Sequence, residues 1–82
     1  NPFNASTTLI YELSVNSVVK IEIFNILGSR VKTVLNEKQS AGYKMIVWDG
    51  TNDRNKTVPS GIYYYVVSAN GFSKVNKMVL LK

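Results

Sequence analysis

The chain has 82 residues, which is enough for one domain, because single hydrophobic cores need roughly 50 to 200 residues. Hydrophobic residues make up 45% of the chain and charged residues 18%, a composition typical of a globular protein and not of a disordered tail. Histidine and cysteine are both absent, which excludes histidine-based triads, cysteine nucleophiles, disulfide frameworks and zinc sites built from these residues. The sequence therefore favours a domain that is not an enzyme and holds no cofactor.

The positive charge is concentrated in the last third of the chain. Ten lysines and arginines stand against five acidic residues, for a net charge of +5, and residues 54–82 contain no acidic residue at all. A nucleic-acid surface would gather arginines and stacking aromatic residues along one stripe, which this sequence does not do. We expect no nucleic-acid partner and interpret these lysines as protection of an exposed strand edge. No apolar run approaches the ~18 residues of a membrane-spanning helix, so no membrane span is expected.

Alternating apolar and polar residues predict a series of short strands. Valine, isoleucine and threonine are abundant while alanine is rare, which favours strands over helices. We predict strands over residues 8–13, 18–24, 30–35, 43–48, 61–69 and 72–81. Gly28 lies in the first hairpin turn, and Val58 can add a short edge strand within the turn-rich stretch 49–60. Asn70-Gly71 predicts a type I′ turn between the last two strands, because both residues accept positive φ.

Six or seven short strands with turns every 8 to 12 residues indicate an antiparallel β-sandwich. The facing of the last strand is ambiguous, and a bulge near Lys77 would account for it. The side chains expected to point inward are Leu9, Tyr11, Leu13, Val19, Ile21, Ile23, Val31, Val47, Trp48, Tyr63, Tyr65, Val67 and Met78.

The loop over residues 49–60 is the one candidate for a metal site. Asp49, Asn52, Asp53 and Asn55 bring several oxygen atoms together, as Ca²⁺ requires. The spacing matches no EF-hand, and no glutamate follows that could close the site with two oxygens. Side chains of this type in loops more often bond to their own backbone. We therefore predict no metal and retain these four residues as a weak calcium candidate.

Trp48 and the run Tyr63-Tyr64-Tyr65 are the candidates for an aromatic platform that binds a sugar. Alternation along the strand sends Tyr64 to the face opposite Tyr63 and Tyr65, so the three rings cannot form one flat stack. We expect Tyr63 and Tyr65 to pack in the core, with Tyr64 on the wetter face.

Several short blocks resemble, in the same order, those of a known family. The blocks are Asn1-Pro2-Phe3-Asn4, Ser6-Thr7-Thr8, Ile23-Phe24-Asn25-Ile26-Leu27-Gly28, Ala41-Gly42, Val47-Trp48-Asp49-Gly50, Ser60-Gly61-Ile62-Tyr63 and Lys77-Met78-Val79-Leu80. Together they resemble the type A C-terminal sorting domain of the bacterial type IX (Por) secretion system. The immunoglobulin-like domain of the flagellar hook-assembly scaffold is similar as well. The departures are Ala5, where the family usually has proline, and Asn55, where it often has glycine; both are turn positions.

The resemblance implies an immunoglobulin-like antiparallel β-sandwich of about seven strands. Residues 1–82 would form a single C-terminal domain cut from a larger secreted protein, whose upstream cargo can be a hydrolase. In members of Bacteroidetes-like bacteria, the outer-membrane secretion machinery and a surface sortase are the partners, and the protein crosses the periplasm to the cell surface. Gly28, Trp48, Gly61 and Tyr63 match structural motifs of the family. For partner recognition we select the C-terminal strand, because its lysines carry the charge excess and an edge strand can add to a partner sheet. The residues assigned to this role are Lys77, Met78, Val79, Leu80, Leu81 and Lys82.

Two other functions remain open from the residues alone. One is a structural β-sandwich spacer of a multidomain secreted hydrolase, and the other is an ancillary carbohydrate-binding module. Each is compatible with the same strand pattern, because the fold does not determine the function.

Overall fold

In a computed structural model, which describes residues 6–81, the chain forms six strands and no helix. The strands are β1 (Thr7–Leu13), β2 (Ser17–Asn25), β3 (Arg30–Gln39), β4 (Gly42–Trp48), β5 (Gly61–Ala69) and β6 (Phe72–Leu80). They build a two-stranded sheet in the order β1-β4 and a four-stranded sheet in the order β3-β2-β5-β6. Every strand pair is antiparallel. The prediction of an all-β antiparallel sandwich is confirmed, with six strands in place of about seven. No helix within residues 6–81 could cross a membrane.

The region around Val58 forms an isolated bridge where a seventh strand was predicted. Thr51 and Thr57 pair across the turn, and the Val58 amide donates to the Gly50 carbonyl at 2.9 Å. Val58 is nevertheless buried in the core, although the strand pattern did not place it there. A bridge of one pair is enough to direct this side chain inward.

The core lies between the two sheets, and most strands contribute every second side chain to it. It consists of Leu9, Tyr11, Leu13, Val19, Ile21, Ile23, Trp48, Val58, Tyr63, Tyr65, Val67, Met78 and Leu80. The placement of Val47 in the core is wrong, because Val47 is 60% exposed while Trp48 is 1% exposed. Val31 is only partly buried and packs against the edge of the core. On β4 a single parity faces inward, and the large indole ring of Trp48 takes that parity.

The last hairpin has the predicted turn and a continuous register. Asn70 and Gly71 have φ values of 50° and 79°, as a type I′ turn requires. The pairing runs without interruption from Ala69↔Phe72 to Gly61↔Leu80, so β6 contains no bulge near Lys77. The parity that places Met78 and Leu80 inward therefore holds along the whole strand.

Candidate functional site

The loop over residues 49–60 uses its side-chain oxygens to bind backbone amides. Asp49 Oδ1 accepts hydrogen bonds from the amide and the hydroxyl of Thr51. Asn52 Oδ1 accepts from the amides of Arg54 and Lys56 at 2.9 and 3.1 Å. Asn55 stands at a φ of 61°, and its amide donates to the Asn52 carbonyl. Within residues 6–81 no three acidic, histidine or cysteine side chains come close enough to hold a metal ion. The weak calcium candidate stays a prediction. The contacts described above stabilise the loop whether or not a metal ion binds.

Asp53 connects this loop to the free edge of β3. Its amide donates to the Val31 carbonyl at 3.0 Å, and its Oδ1 accepts from the Thr33 amide at 3.0 Å. These are the bonds that a neighbouring strand would make. Arg30 holds the other carboxylate oxygen of Asp53, with 3.6 Å between Nε and Oδ2. The loop therefore covers the edge of the four-stranded sheet at β3, as natural sheets often do.

A second link to β3 runs through Lys32. Its Nζ donates to the Thr51 hydroxyl oxygen at 2.7 Å and lies 3.8 Å from Asp49 Oδ1. The hydrogen bond from the Thr51 hydroxyl, with a smaller contribution from the Lys32 charge, lowers the pKa of Asp49, although burial opposes the shift. The Asp49 carboxylate therefore stabilises the loop through Thr51 and Lys32. It is not part of a pair of carboxylates whose pKa values are shifted apart, as in catalytic acid–base pairs.

Removing the Asp53 carboxylate should uncover the β3 edge. We expect Asp53→Ala to lower the free energy of unfolding by about 1 kcal/mol, because the Thr33 amide loses its acceptor. Amide hydrogen exchange at Thr33 should become faster. Asp53→Asn keeps an acceptor oxygen and is the matched control. Unchanged exchange at Thr33 in the alanine variant would show that the loop does not protect this edge.

Trp48 and Tyr63 form the structural centre at this end of the sandwich. Their ring centroids lie 5.1 Å apart at an interplanar angle of 70°, an edge-to-face arrangement. Trp48 Nε1 donates to the Thr51 carbonyl at 2.8 Å, and the Tyr63 hydroxyl donates to the Pro59 carbonyl at 2.7 Å. A tyrosine that bonds back to the chain four residues upstream resembles the tyrosine corner of immunoglobulin-like domains. These two rings tie the loop to the core and offer no exposed stacking surface.

Replacing Tyr63 with phenylalanine tests how much the Tyr63 hydroxyl contributes to stability and how that contribution changes with pH. We expect Tyr63→Phe to cost about 1 kcal/mol at neutral pH, because the Pro59 carbonyl loses its donor. Burial raises the pKa of Tyr63 above its ordinary value of 10.0. Since the unfolded chain ionises first, this contribution is fully present below pH 10 and is lost as the pH rises through the folded-state pKa.

The measurement is urea unfolding followed by Trp48 fluorescence at neutral and alkaline pH. Wild type should lose stability above pH 10, and Tyr63→Phe should lose it less steeply. Tyr43→Phe is the matched control, because Tyr43 is 80% exposed and its hydroxyl forms no hydrogen bond within residues 6–81. Equal alkaline slopes in wild type and Tyr63→Phe would assign the effect to another group, such as Tyr11, whose pKa is also raised by burial.

The two glycines that matched structural motifs both have positive φ. Gly28 has a φ of 83°, and its amide closes the β2–β3 turn by donating to the Asn25 carbonyl at 3.0 Å. Asn25 Oδ1 accepts from the amides of Leu27 and Ser29 in the same turn. Gly61 has a φ of 154° where the loop enters β5. The roles of both residues are explained by backbone geometry alone.

The segment assigned to partner recognition divides between core and surface. Met78 and Leu80 are buried, while Lys77, Val79 and Leu81 are exposed. Lys82 lies outside the described residues. A partner that meets the folded domain can therefore touch only alternate side chains of this segment.

A groove lies between the second half of β1, with the turn that follows it, and the end of the β5–β6 hairpin. It has a volume of about 350 Å³ and includes Glu12 on one wall and Phe72, Lys74 and Asn76 on the other. The sequence could not reveal this groove, because it depends on how the two sheets are placed over each other. Its lining also includes the hydroxyls of Ser14 and Ser17, and the Ser17 hydroxyl donates to the Val15 carbonyl and not to a base. The groove therefore supports contact more readily than catalysis.

Comparisons with known proteins identify the family. The family model of the FlgD Ig-like domain matches residues 4–72. A solved structure, FLGD from P. aeruginosa, matches with a TM-score of 0.69 and 24% sequence identity. The match covers 93% of this chain and 60% of that chain, so this chain spans less than two thirds of its length. No curated protein matches the chain.

These matches correct the prediction of a type IX sorting domain. The export function, the outer-membrane machinery and sortase as partners, the secreted cargo and the cell-surface location all followed from that resemblance, and the FlgD match contradicts them. The physical reason is that the blocks carrying the resemblance supply turns and core, as Gly28, Gly61, Trp48 and Tyr63 do here. Such residues identify a sandwich and not its receptor. The immunoglobulin-like fold itself is confirmed, and the chain belongs to the FlgD Ig-like domain family.

Proposed function

We propose that this domain is a non-catalytic structural module of the kind that serves in flagellar hook assembly. The observation that carries the proposal is the family match over residues 4–72. The domain is then one unit of a longer chain, a proposal supported by its spanning 60% of the solved FLGD chain. The expectation of a hydrolase elsewhere in the parent protein rested on the sorting resemblance and stays a prediction.

The construction of the sandwich suits a scaffold unit. Within residues 6–81 every buried side chain is hydrophobic, and no buried side-chain nitrogen or oxygen atom lacks a hydrogen-bond partner. The outer face of the two-stranded sheet is apolar and open, since Ile10, Tyr43, Met45 and Val47 are each more than half exposed. Exposed apolar patches on small domains typically mark contact with other proteins. An apolar outer face of this kind suits a domain that contacts other proteins in an assembly.

The carbohydrate-binding alternative has less support. Trp48 is 1% exposed and Tyr63 is 5% exposed, so neither ring can stack on a sugar without disrupting the core. Of the aromatic residues weighed for a platform, Tyr64 alone reaches the outer face. A single tyrosine is a weak basis for a sugar site.

A domain exchange tests the proposal. The Ig-like domain of FLGD from P. aeruginosa would be replaced by this domain, and hook formation and swimming would be measured. We expect hooks to form with this domain and not with an unrelated β-sandwich of the same size. Hooks with both inserts would support a plain spacer. Absence of hooks with a folded chimera would contradict the proposal.

A further inference from the structure

The free edge of β6 carries backbone groups that point away from its neighbour β5. The turn bond of the last hairpin joins Ala69 and Phe72, so the Phe72 amide points toward β5. Hydrogen-bonding direction alternates along an antiparallel strand. The backbone groups of Ser73, Val75, Lys77 and Val79 therefore point away from β5, and none of them has a hydrogen-bond partner within residues 6–81.

The edges at β3 and β1 are protected by specific contacts. The β3 edge is covered by Asp53, and the pairing of β2 with β3 is interrupted by two register shifts. On β1, the Tyr65 hydroxyl donates to the outward Ile10 carbonyl at 3.1 Å. By contrast, β6 runs for 9 residues without a bulge, and no loop within the described residues 6–81 bonds to its free edge. A long, regular and open edge is a template for a further strand.

The charges on this edge select the kind of strand that can bind. Lys77 faces the outer side of the sheet and Lys74 faces the groove, and neither forms an ion pair within residues 6–81. Residues 54–82 contain no acidic residue, so no carboxylate of the hairpin can neutralise them. Val75 and Val79 stand on either side of Lys77, 60% and 51% exposed. The edge thus presents a pattern of apolar and basic side chains.

A second copy of this chain does not match that pattern. Each copy has a net charge of +5, and pairing two β6 edges would bring four lysines together without an acid on either strand. Like charges placed across neighbouring strands are destabilising. The complementary occupant is a strand that carries carboxylates.

We propose that the β6 edge binds an extended acidic segment of a partner protein by strand addition. Carboxylates of the partner lie opposite Lys77 and Lys74, and its apolar side chains pack on Val75 and Val79. The backbone of the partner pairs with the open groups of Ser73, Val75, Lys77 and Val79. The lysines thereby serve two purposes, since they repel further copies of the domain and attract the acidic strand.

A synthetic peptide provides a direct test. The probe is a peptide of the length of β6, in which threonine and isoleucine alternate and glutamates stand opposite Lys74 and Lys77. Binding is measured by fluorescence anisotropy, and amide exchange by NMR. We expect protection to increase at Ser73, Val75, Lys77 and Val79 and to stay unchanged at the amides that already bond to β5. Uniform protection, or no binding, would overturn the proposal.

Two variants separate charge from backbone. The double variant Lys74→Glu, Lys77→Glu should bind the glutamate peptide about tenfold more weakly and bind a lysine version of the peptide better. Val75→Pro removes an outward amide without breaking the ladder to β5, and it should abolish binding while the domain stays folded. Val75→Thr keeps that amide and is the matched control.

The remaining outcomes identify other occupants. Equal binding of the lysine peptide would overturn the role of charge. Displacement of the peptide by a single-stranded oligonucleotide would assign the edge to phosphates. A dimer of the free domain in analytical ultracentrifugation that the peptide does not dissociate would assign the edge to a second copy. The test does not depend on hook formation, so this proposal and the proposed function can fail separately.

Discussion

Replacing Trp48 with alanine is expected to lower the free energy of unfolding by about 3–5 kcal/mol. The indole ring is 1% exposed and packs edge-to-face on Tyr63. Its Nε1 also donates to the Thr51 carbonyl, which would lose that donor. A domain of this size has a total stability of about 4–12 kcal/mol, so the substitution should remove a large fraction of the total.

The measurement is urea unfolding followed by circular dichroism, because the variant lacks the fluorescent residue. Val47→Ala is the matched control, since Val47 is the adjacent residue and is 60% exposed. We expect Val47→Ala to change stability by no more than about 0.5 kcal/mol. Trp48→Phe should fall between the two, because it keeps a ring and loses the hydrogen bond. If Val47→Ala lowers the free energy of unfolding more than Trp48→Ala does, then Val47 and not Trp48 points into the core.

The orientation of β4 shows a limit of prediction from alternating sequence patterns. In the strands predicted at residues 8–13 and 18–24, one set of alternate side chains is apolar throughout and the other includes charged residues. The prediction places the correct set inward in both strands. In β4 both parities are apolar, because Tyr43, Met45 and Val47 occupy the exposed face. Alternation cannot choose between two apolar faces. The choice is made by the packing of Trp48 on Tyr63, a contact between residues that are distant along the chain.

The loop over residues 49–60 shows a different limit. Its composition correctly indicated side chains that bond to the backbone. The bonds that Asp49 and Asn52 accept from nearby amides are local and could be expected from spacing. The bond from Thr33 to Asp53 joins residues 20 positions apart, and no local pattern predicts it. The role of the loop as a cover for β3 therefore required the folded arrangement.

The resemblance to a sorting domain failed for a related reason. Its blocks are rich in glycine, aromatic and branched residues at turns and core positions, which any sandwich with these connections needs. Such positions carry information about the fold and little about the partner. The exposed side chains that could distinguish partners, such as Lys77 and Val79, lie on alternate positions of β6.

Replacing Leu80 with alanine should cost about 2–5 kcal/mol, because this side chain is fully buried beside the start of β5. Val79→Ala is the matched control on the same strand; Val79 is 51% exposed, and we expect its loss to change stability by no more than about 0.5 kcal/mol. The measurement is urea unfolding followed by Trp48 fluorescence. Similar losses in the two variants would contradict the inward parity of β6.

Leu80→Ala and Val79→Ala also distinguish the role of β6 in the hydrophobic core from its role in binding a partner. Below the unfolding transition, Leu80→Ala should bind the glutamate peptide as wild type does, whereas Val79→Ala should weaken binding without destabilising the fold. Deleting residues 75–82 cannot make this distinction, because it removes the buried Met78 and Leu80 together with the exposed edge. Any activity lost on such a deletion would follow from unfolding. The role of the last strand in recognition has to be tested by single substitutions on its exposed parity.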